Sequence, residues 1–325
     1  MIFIAGMISA SLMGMTHLIT ANGAPASKLC FGTMQFGGKA DIVASQSMYE
    51  DCRTAGINFF DTAYVYTGGQ SETMLGRFVQ SERDDVIVAT KAAYDKPATK
   101  SNVLQSFEES RERMKIDTVD LMYLHRFDPD TPLSESLEAL AELREDGLIR
   151  YIGISNFAAW QVMKAAQAAR GLGATIDVLQ PMYNLVKRQA EVEILPACAD
   201  QGIAVVPYSP LGGGLLTGKY AREDASGRLA EDARYNARYD VAWMHEAAAA
   251  LPAIAAQNGT DAATLAVAWV AKNPHIAAPI ISARSSEQLA PSLAALDFEM
   301  GDALYDQLTA LSQAPSPATD RLEEV

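Results

Sequence analysis

Four residues of this chain are of the types that move a proton onto an oxygen: Asp61, Tyr66, Lys91 and His125. Asp61 follows the apolar run INFF, Lys91 follows VIVAT and His125 follows DLMYL, while Tyr66 lies five residues after Asp61 in DTAYVYTGGQSE. A Lys and an Asp at the inner ends of neighbouring strands form a buried pair, which keeps the ammonium charged. A fixed ammonium beside a phenol favours phenolate, so the Tyr66 pKa is expected to fall. Tyr66 then gives a proton near neutral pH, as a general acid must. His125 can hydrogen-bond and orient a substrate oxygen. Together the four suggest carbonyl reduction, or alcohol oxidation, with a hydride-bearing cofactor. Singly, each has a plainer explanation in an ion pair, a packed ring or a core histidine. Their joint placement at strand ends favours chemistry.

Other polar residues sit at the same kind of position. Ser155 and Asn156 follow YIGI, Gln180 follows DVL, and Tyr208 and Ser209 follow IAVVP. Ser155 and Asn156 also suit a helix N-cap. Arg126 and Phe127, beside His125, and Met34 and Tyr64, near the first two strand ends, are expected to border a substrate pocket. Gln70 and Glu72 follow a turn and read as the start of a helix.

The elements that must position these residues are short apolar runs alternating with amphipathic stretches. The runs are Leu29–Phe31, Ile57–Thr62, Val86–Lys91, Val119–His125, Arg150–Ser155, Val178–Tyr183, Ile203–Tyr208 and Ile276–Ser282. Each has the length of a buried parallel strand. Helices are predicted over Ser101–Met114, Ser134–Asp146, Ala158–Arg170 and Ala190–Gln201; in the second, Leu137, Leu140 and Leu143 share a face and Gly147 ends it. Eight such units point to an α/β fold, a (β/α)8 TIM barrel, whose polar residues at strand C-terminal ends are the catalytic candidates. The last interval is longest. It holds Gly212–Gly214, a polar stretch Ala221–Asp240 and an extra helix from Val241, all expected at the barrel mouth. Before the first strand, Leu18–Lys28 carries an Asn-Gly pair, the mark of a β-hairpin that could plug the barrel's other end.

At 49% hydrophobic and 20% charged residues the chain has the balance of a globular enzyme. Its net charge of −14 repels nucleic acid and anionic membrane surfaces, so an anionic cofactor needs a local site of cations or N–H groups. Cys30, Cys52 and Cys198 are far apart and the four histidines form no HExxH pair, so neither a disulfide framework nor a metal is expected. Residues 1–14 read as an apolar extension or a mis-assigned start, with Met13 or Met15 as the alternative first residue. They resemble a signal-peptide core, but no Lys or Arg precedes Lys28. Residues 15–325 read as one barrel domain, and a cytoplasmic location is expected.

From Leu29 to about Leu296 the sequence resembles the aldo-keto reductases. The stretches that carry the resemblance are GTMQFGG (Gly32–Gly38), GINFFDTAYVYTGGQSETMLG (Gly56–Gly76), VIVATK (Val86–Lys91), VDLMYLHRFDPDTP (Val119–Pro132), GLIRYIGISNF (Gly147–Phe157), QPMYN (Gln180–Asn184), VVPYSPLGGGLLTGKY (Val205–Tyr220) and IISARSSEQL (Ile281–Leu289). Any one is weak, but eight in order are a strong signal.

The resemblance implies a catalytic tetrad of Asp61, Tyr66, Lys91 and His125. It implies that a nicotinamide stacks on Tyr208, with its carboxamide held by Ser155, Asn156 and Gln180. Gly32, Thr33 and Met34 would border the cofactor. The loop Ser209–Gly218, with Leu211 and Gly213, and then Lys219, would cover the pyrophosphate. Ser282, Arg284, Gln288 and Ser292 stand where relatives hold the adenosine end, with Arg284 placed for a 2′-phosphate; NADPH is therefore expected over NADH. The implied function is reduction of a small aldehyde or ketone by direct hydride transfer, with Tyr66 as proton donor. Two other classes are compatible with the fold: a cofactor-binding regulatory subunit of potassium-channel β type, and a lens-crystallin-like structural protein. The substrate and the oligomeric state are not legible.

Overall fold

The computed structural model describes residues 17–221 and 227–319, and the expectations for residues 1–14 lie outside the described residues. Eight parallel strands follow one another around the sheet: β1 (Cys30–Gly32), β2 (Phe59–Asp61), β3 (Ile87–Ala92), β4 (Val119–Leu124), β5 (Ile149–Ser155), β6 (Val178–Gln180), β7 (Ala204–Val205) and β8 (Ile280–Ile281). From β1 to β7 each pairs with the next in sequence, and β1 also pairs with β8. The cylinder closes through parallel bridges Val205–Ile276 and Tyr208–Ile280, carried by Ala277 N–H to the Val205 carbonyl and Ile280 N–H to the Pro207 carbonyl, both 2.8 Å. The fold is thus the expected (β/α)8 barrel.

Alternate residues of a strand face opposite sides of a sheet, and here both sides are dry. Phe59, Ile87, Ala89, Leu121, Tyr123, Tyr151, Val178, Ala204 and Ile280 fill the inside of the barrel. Phe60, Val88, Met122, Ile152, Leu179 and Val205 point outward into a larger apolar layer under the helices. Those helices are α1 (Ile42–Thr54), α2 (Gln70–Val79), α3 (Lys100–Met114), α4 (Leu133–Glu145), α5 (Ala159–Gly171) and α6 (Ile194–Gln201). Asp41 and Thr99 cap α1 and α3 by accepting backbone N–H groups. On α4, Leu133, Leu137, Leu140 and Leu143 are buried on one face, as the heptad-like spacing predicts.

The last three strands are shorter than the apolar runs suggest. Proline has no N–H to give to a ladder. Pro181 follows the end of β6, while Pro207 and Pro279 lie inside the seventh and eighth runs. The helix expected over Ala190–Gln201 is also split, into a short turn Gln189–Glu191 and α6 from Ile194. Pro196 sits in the first turn of α6, where its ring is tolerated but forbids helix further upstream.

The excursion between β7 and β8 begins with a tight turn, Gly212–Thr217, and contains α7 (Arg228–Glu231), α8 (Ala233–Tyr239), α9 (Ala242–Gln257) and α10 (Ala262–Lys272). The extra helix expected from Val241 is α9, with Val241 as its N-cap; α7 and α8 occupy part of what reads as a polar stretch. After β8 come α11 (Ser286–Leu293) and α12 (Asp302–Thr309). The Asn-Gly segment is a hairpin, with an antiparallel bridge between Ile19 and Pro25. It closes the N-terminal end of the barrel: Leu18 is buried with the interior residues, Ile19 N–H donates to the Tyr151 hydroxyl at 3.0 Å, and Arg150 donates to the Ile19 carbonyl at 2.8 Å.

Candidate active site

Period-two alternation carries the interior pattern up to the strand C-termini. Two residues above Phe59 comes Asp61; two above Ala89, Lys91; two above Tyr123, His125; two above Gly153, Ser155; two above Val178, Gln180. The polar residues therefore form the top layer of the same interior, and apolar side chains seal it from below. Gly153 makes room for that seal. It pairs across the ladder with Tyr123, and a Cβ on it would lie 2.2 Å from the Tyr123 ring. The ring centre lies 5.8 Å from the Lys91 ammonium.

Lys91 is fully buried. Its ammonium pairs with the Asp61 carboxylate, donates to the Thr62 carbonyl at 2.7 Å, and lies 3.4 Å from the Tyr66 hydroxyl. Gln180 donates to the other Asp61 oxygen at 2.8 Å. The His125 imidazole meets the Tyr66 ring edge-on, with centroids 5.9 Å apart. The structure thus brings Asp61, Tyr66, Lys91 and His125 together at one end of the barrel.

The electrostatics corrects one expectation. Burial pushes the Tyr66 phenol up; Lys91 pulls it down, but burial and Asp61 win, so the net shift is upward rather than the fall expected from the sequence. Tyr66 is therefore an un-ionised phenol at neutral pH. Burial alone would lower Lys91, but Asp61 and Tyr66 outweigh it and hold the ammonium above the usual lysine value. The His125 imidazole is pulled down to about 2 by burial, then by the Lys91 and Arg126 charges, so it is neutral at physiological pH. Its Nδ1 is buried with no hydrogen-bond partner among the described residues.

The polar neighbours are linked to this group. Ser155 donates to the Gln180 carbonyl at 2.9 Å. Asn156 donates to the His125 carbonyl at 3.0 Å and accepts from the Tyr208 hydroxyl at 2.7 Å. Neither Ser155 nor Asn156 is a helix N-cap: Ala158 precedes α5, with its N–H taken by Gln161. Asn156 and Ser209 hold left-handed backbone, φ 59° and 62°, as is common for residues fixed at functional ends of strands. Thr33 is buried and committed to the Asp61 carbonyl and the Ser71 hydroxyl, and Gly32 packs against Ile280. Met34 and Tyr208 are half-buried.

Further round the rim, Gly212, Gly213 and Gly214 all have positive φ, a conformation that only glycine adopts freely in succession. Leu211 precedes them, and Lys219 lies beyond, its ammonium 4.8 Å from the Tyr220 ring. Near β8, the buried hydroxyls of Ser282, Ser286 and Ser292 have no partner among the described residues. Gln288 accepts from the Arg284 N–H at 3.4 Å. Glu231, on α7, pairs with Lys39 and stands 3.7 Å from the Arg284 guanidinium. This carboxylate ties the loop after β1 to the excursion and to the segment after β8.

Of the residues expected at the substrate side, Tyr64 is buried and Arg126 exposed. Phe127 is half-buried, edge-on to Phe157 and close to Trp160. The sequence reading missed Tyr94, whose ring lies 4.7 Å from that of His125, and Tyr235 on α8, whose phenol bears on the ionisation of Tyr66. It also missed a pair behind the Tyr66 loop: buried Glu72 accepts from Thr90 at 2.6 Å and from Arg113 at 3.0 Å, and Arg113 holds the Tyr64 carbonyl at 2.9 Å. An aromatic just past a strand end, in KAAY, was the available signal for Tyr94.

Comparison with known proteins gives a consistent picture. The sequence profile of the Aldo/keto reductase family matches residues 28–313. A protein of rice, Oryza sativa subsp. japonica, called a probable voltage-gated potassium channel subunit beta, is 32% identical over 92% of this chain and 97% of its own length. An uncharacterized oxidoreductase of Bacillus subtilis, YrpG, is 33% identical over 91% of this chain and 95% of its own. Aflatoxin B1 aldehyde reductase member 2 of rat is 38% identical over 62% of this chain and 56% of its own.

Proposed function

The chain belongs to the aldo/keto reductase family, and on that premise we propose that it reduces a small aldehyde or ketone to the alcohol, using NADPH in preference to NADH. One observation carries the reading: a fully buried, ion-paired Lys91 within 3.4 Å of the Tyr66 hydroxyl. That arrangement gives a protonated phenol next to a fixed positive charge, which suits an oxygen that gains charge as it is reduced.

The residues present fit a nicotinamide dinucleotide. Orphaned hydroxyls at Ser282, Ser286 and Ser292 give its adenosine end polar partners, and Arg284 gives a 2′-phosphate a cation. Three left-handed glycines let backbone N–H groups approach a pyrophosphate, beside Ser209, Leu211 and Lys219. Ser155, Asn156 and Gln180 would hold the carboxamide, and Tyr208 would support the ring, with Gly32, Thr33 and Met34 on the near side. When bound, this cofactor supplies the hydride.

The chain's own residues do the rest. Tyr66 donates its proton to the carbonyl oxygen. Lys91 stabilises the phenolate left behind, and Asp61 keeps Lys91 charged and in place. Neutral His125 offers a hydrogen bond to the same oxygen without competing for the proton. The dry apolar layer beneath keeps these interactions strong.

The test is NADPH consumption against a panel of aldehydes and ketones, run beside NADH, with Tyr66→Phe as the control. The variant should bind NADPH as the parent does and lose turnover by about a hundredfold or more, the usual worth of a general acid. Unchanged turnover would remove Tyr66 as proton donor. The nearly full-length likeness to the rice channel subunit favours a second reading, a regulatory subunit that binds the cofactor and turns over little. Retention of the cofactor with no reduction of any carbonyl would favour that reading.

A further inference from the structure

Cations gather at the barrel mouth, although the chain as a whole carries a charge of −14. Arg126 directly follows His125. Its guanidinium stands 5.5 Å from the centre of the Tyr94 ring, and that same ring lies 4.7 Å from the His125 imidazole. Tyr94 is therefore a neighbour shared by the guanidinium and the imidazole. Tyr94 is 42% exposed although it packs on the buried His125.

On α8, the repeated pattern RYNARY puts Arg234 and Arg238 four residues apart, on one face of the helix. Arg234 is paired with Asp232. Arg238 stacks 5.0 Å from the Tyr235 ring, and its charge bears on both Tyr208 and Lys187. Among the described residues, neither Arg126 nor Arg238 is in an ion pair. The nearest acid to Arg126 in sequence, Asp128, has its carboxylate committed to Ala98 N–H at 2.8 Å and to Thr131 at 2.7 Å.

An unpaired guanidinium lying along an aromatic ring keeps its donor fork free for a planar anionic group. Resting on the reading of the site as a carbonyl reductase, we propose that the substrate is a short carbonyl compound bearing a carboxylate or phosphate. Its anionic group sits on Arg126 over Tyr94, with Arg238 of α8 as a second cation, while its carbonyl oxygen meets Tyr66 and His125. A guanidinium so placed orients the substrate through a part that does not react. It also draws an anion into a mouth that an otherwise acidic protein would repel.

The experiment compares matched pairs: 4-oxobutanoate with butanal, and glyceraldehyde 3-phosphate with glyceraldehyde, on the parent and on Arg126→Met, at low and high salt. In the parent, at least one anion should exceed its neutral partner by about tenfold or more in kcat/KM, mostly through KM. High salt should shrink that advantage. Arg126→Met should abolish it, with the anion losing about tenfold more in kcat/KM than its neutral partner, and the favoured pair tells carboxylate from phosphate. Equal use of both members by the parent, or an equal loss for both in Arg126→Met, overturns the proposal.

If no carbonyl is reduced at all, the reductase reading fails by itself. Calorimetric binding of succinate and of inorganic phosphate to the NADPH-loaded protein then decides the anion site. Binding by the parent that is lost in Arg126→Met upholds it, and no binding by the parent overturns it.

Discussion

The phenol proposed as proton donor is governed by opposed influences. Burial and Asp61 raise Tyr66, while Lys91 lowers it. Reduction needs the phenol form, which exists below its pKa. Because that pKa is raised, kcat/KM should hold to higher pH than an ordinary tyrosine allows and fall only as pH rises through the shifted value. His125, at about 2, should contribute no inflection between about pH 5 and 8. In Lys91→Met the downward pull is gone, so the alkaline limb should move further up as the rate drops. A limb that moved down would show that Lys91 does not act on this phenol. Asp61, Lys91 and His125 were legible because each is a polar residue closing an apolar run. Tyr94 offered only its place just past a strand end: an aromatic in a loop carries no period, and the fold sets its ring against His125.

At the level of elements, the Tyr66 loop is secured from outside the barrel. Arg113 on α3 holds the Tyr64 carbonyl and the Glu72 carboxylate of α2. Arg113→Met should lose stability by about 3 kcal/mol, since it leaves a fully buried carboxylate without its cation. The double variant Arg113→Met with Glu72→Gln should regain much of that stability in urea unfolding yet keep a lowered kcat, because the Tyr64 carbonyl stays untethered. Full recovery of kcat would reduce the pair to a scaffold. The strand and helix count was readable from alternation and amphipathic spacing. Element ends were not, wherever Pro181, Pro196, Pro207 or Pro279 removed a donor that the apolar pattern ignores. The helices α7 and α8 were hidden for another reason: RLAE and ARYNARY are too short and polar to show a face until packed on the mouth.

Over the whole molecule, the proposed binding of a polyanionic dinucleotide would work against a net charge of −14, so local cations carry unusual weight. Arg284→Ala should weaken NADPH by about tenfold and NADH little, measured as dissociation constants at fixed ionic strength, because only the former brings a 2′-phosphate. Equal weakening of both would take Arg284 out of the phosphate site. The tie from Glu231 to Lys39 and Arg284 shows that the cation is already engaged by the protein's own acid. A survey of random single changes would rank one position beside Asp61, Tyr66, Lys91 and His125 although it contributes no side-chain atoms. At Gly153 even a methyl group would collide with the Tyr123 ring, which packs 5.8 Å from the Lys91 ammonium, so the surroundings of Lys91 would be displaced. Intolerance at that position would thus report on catalysis from a place the substrate never reaches.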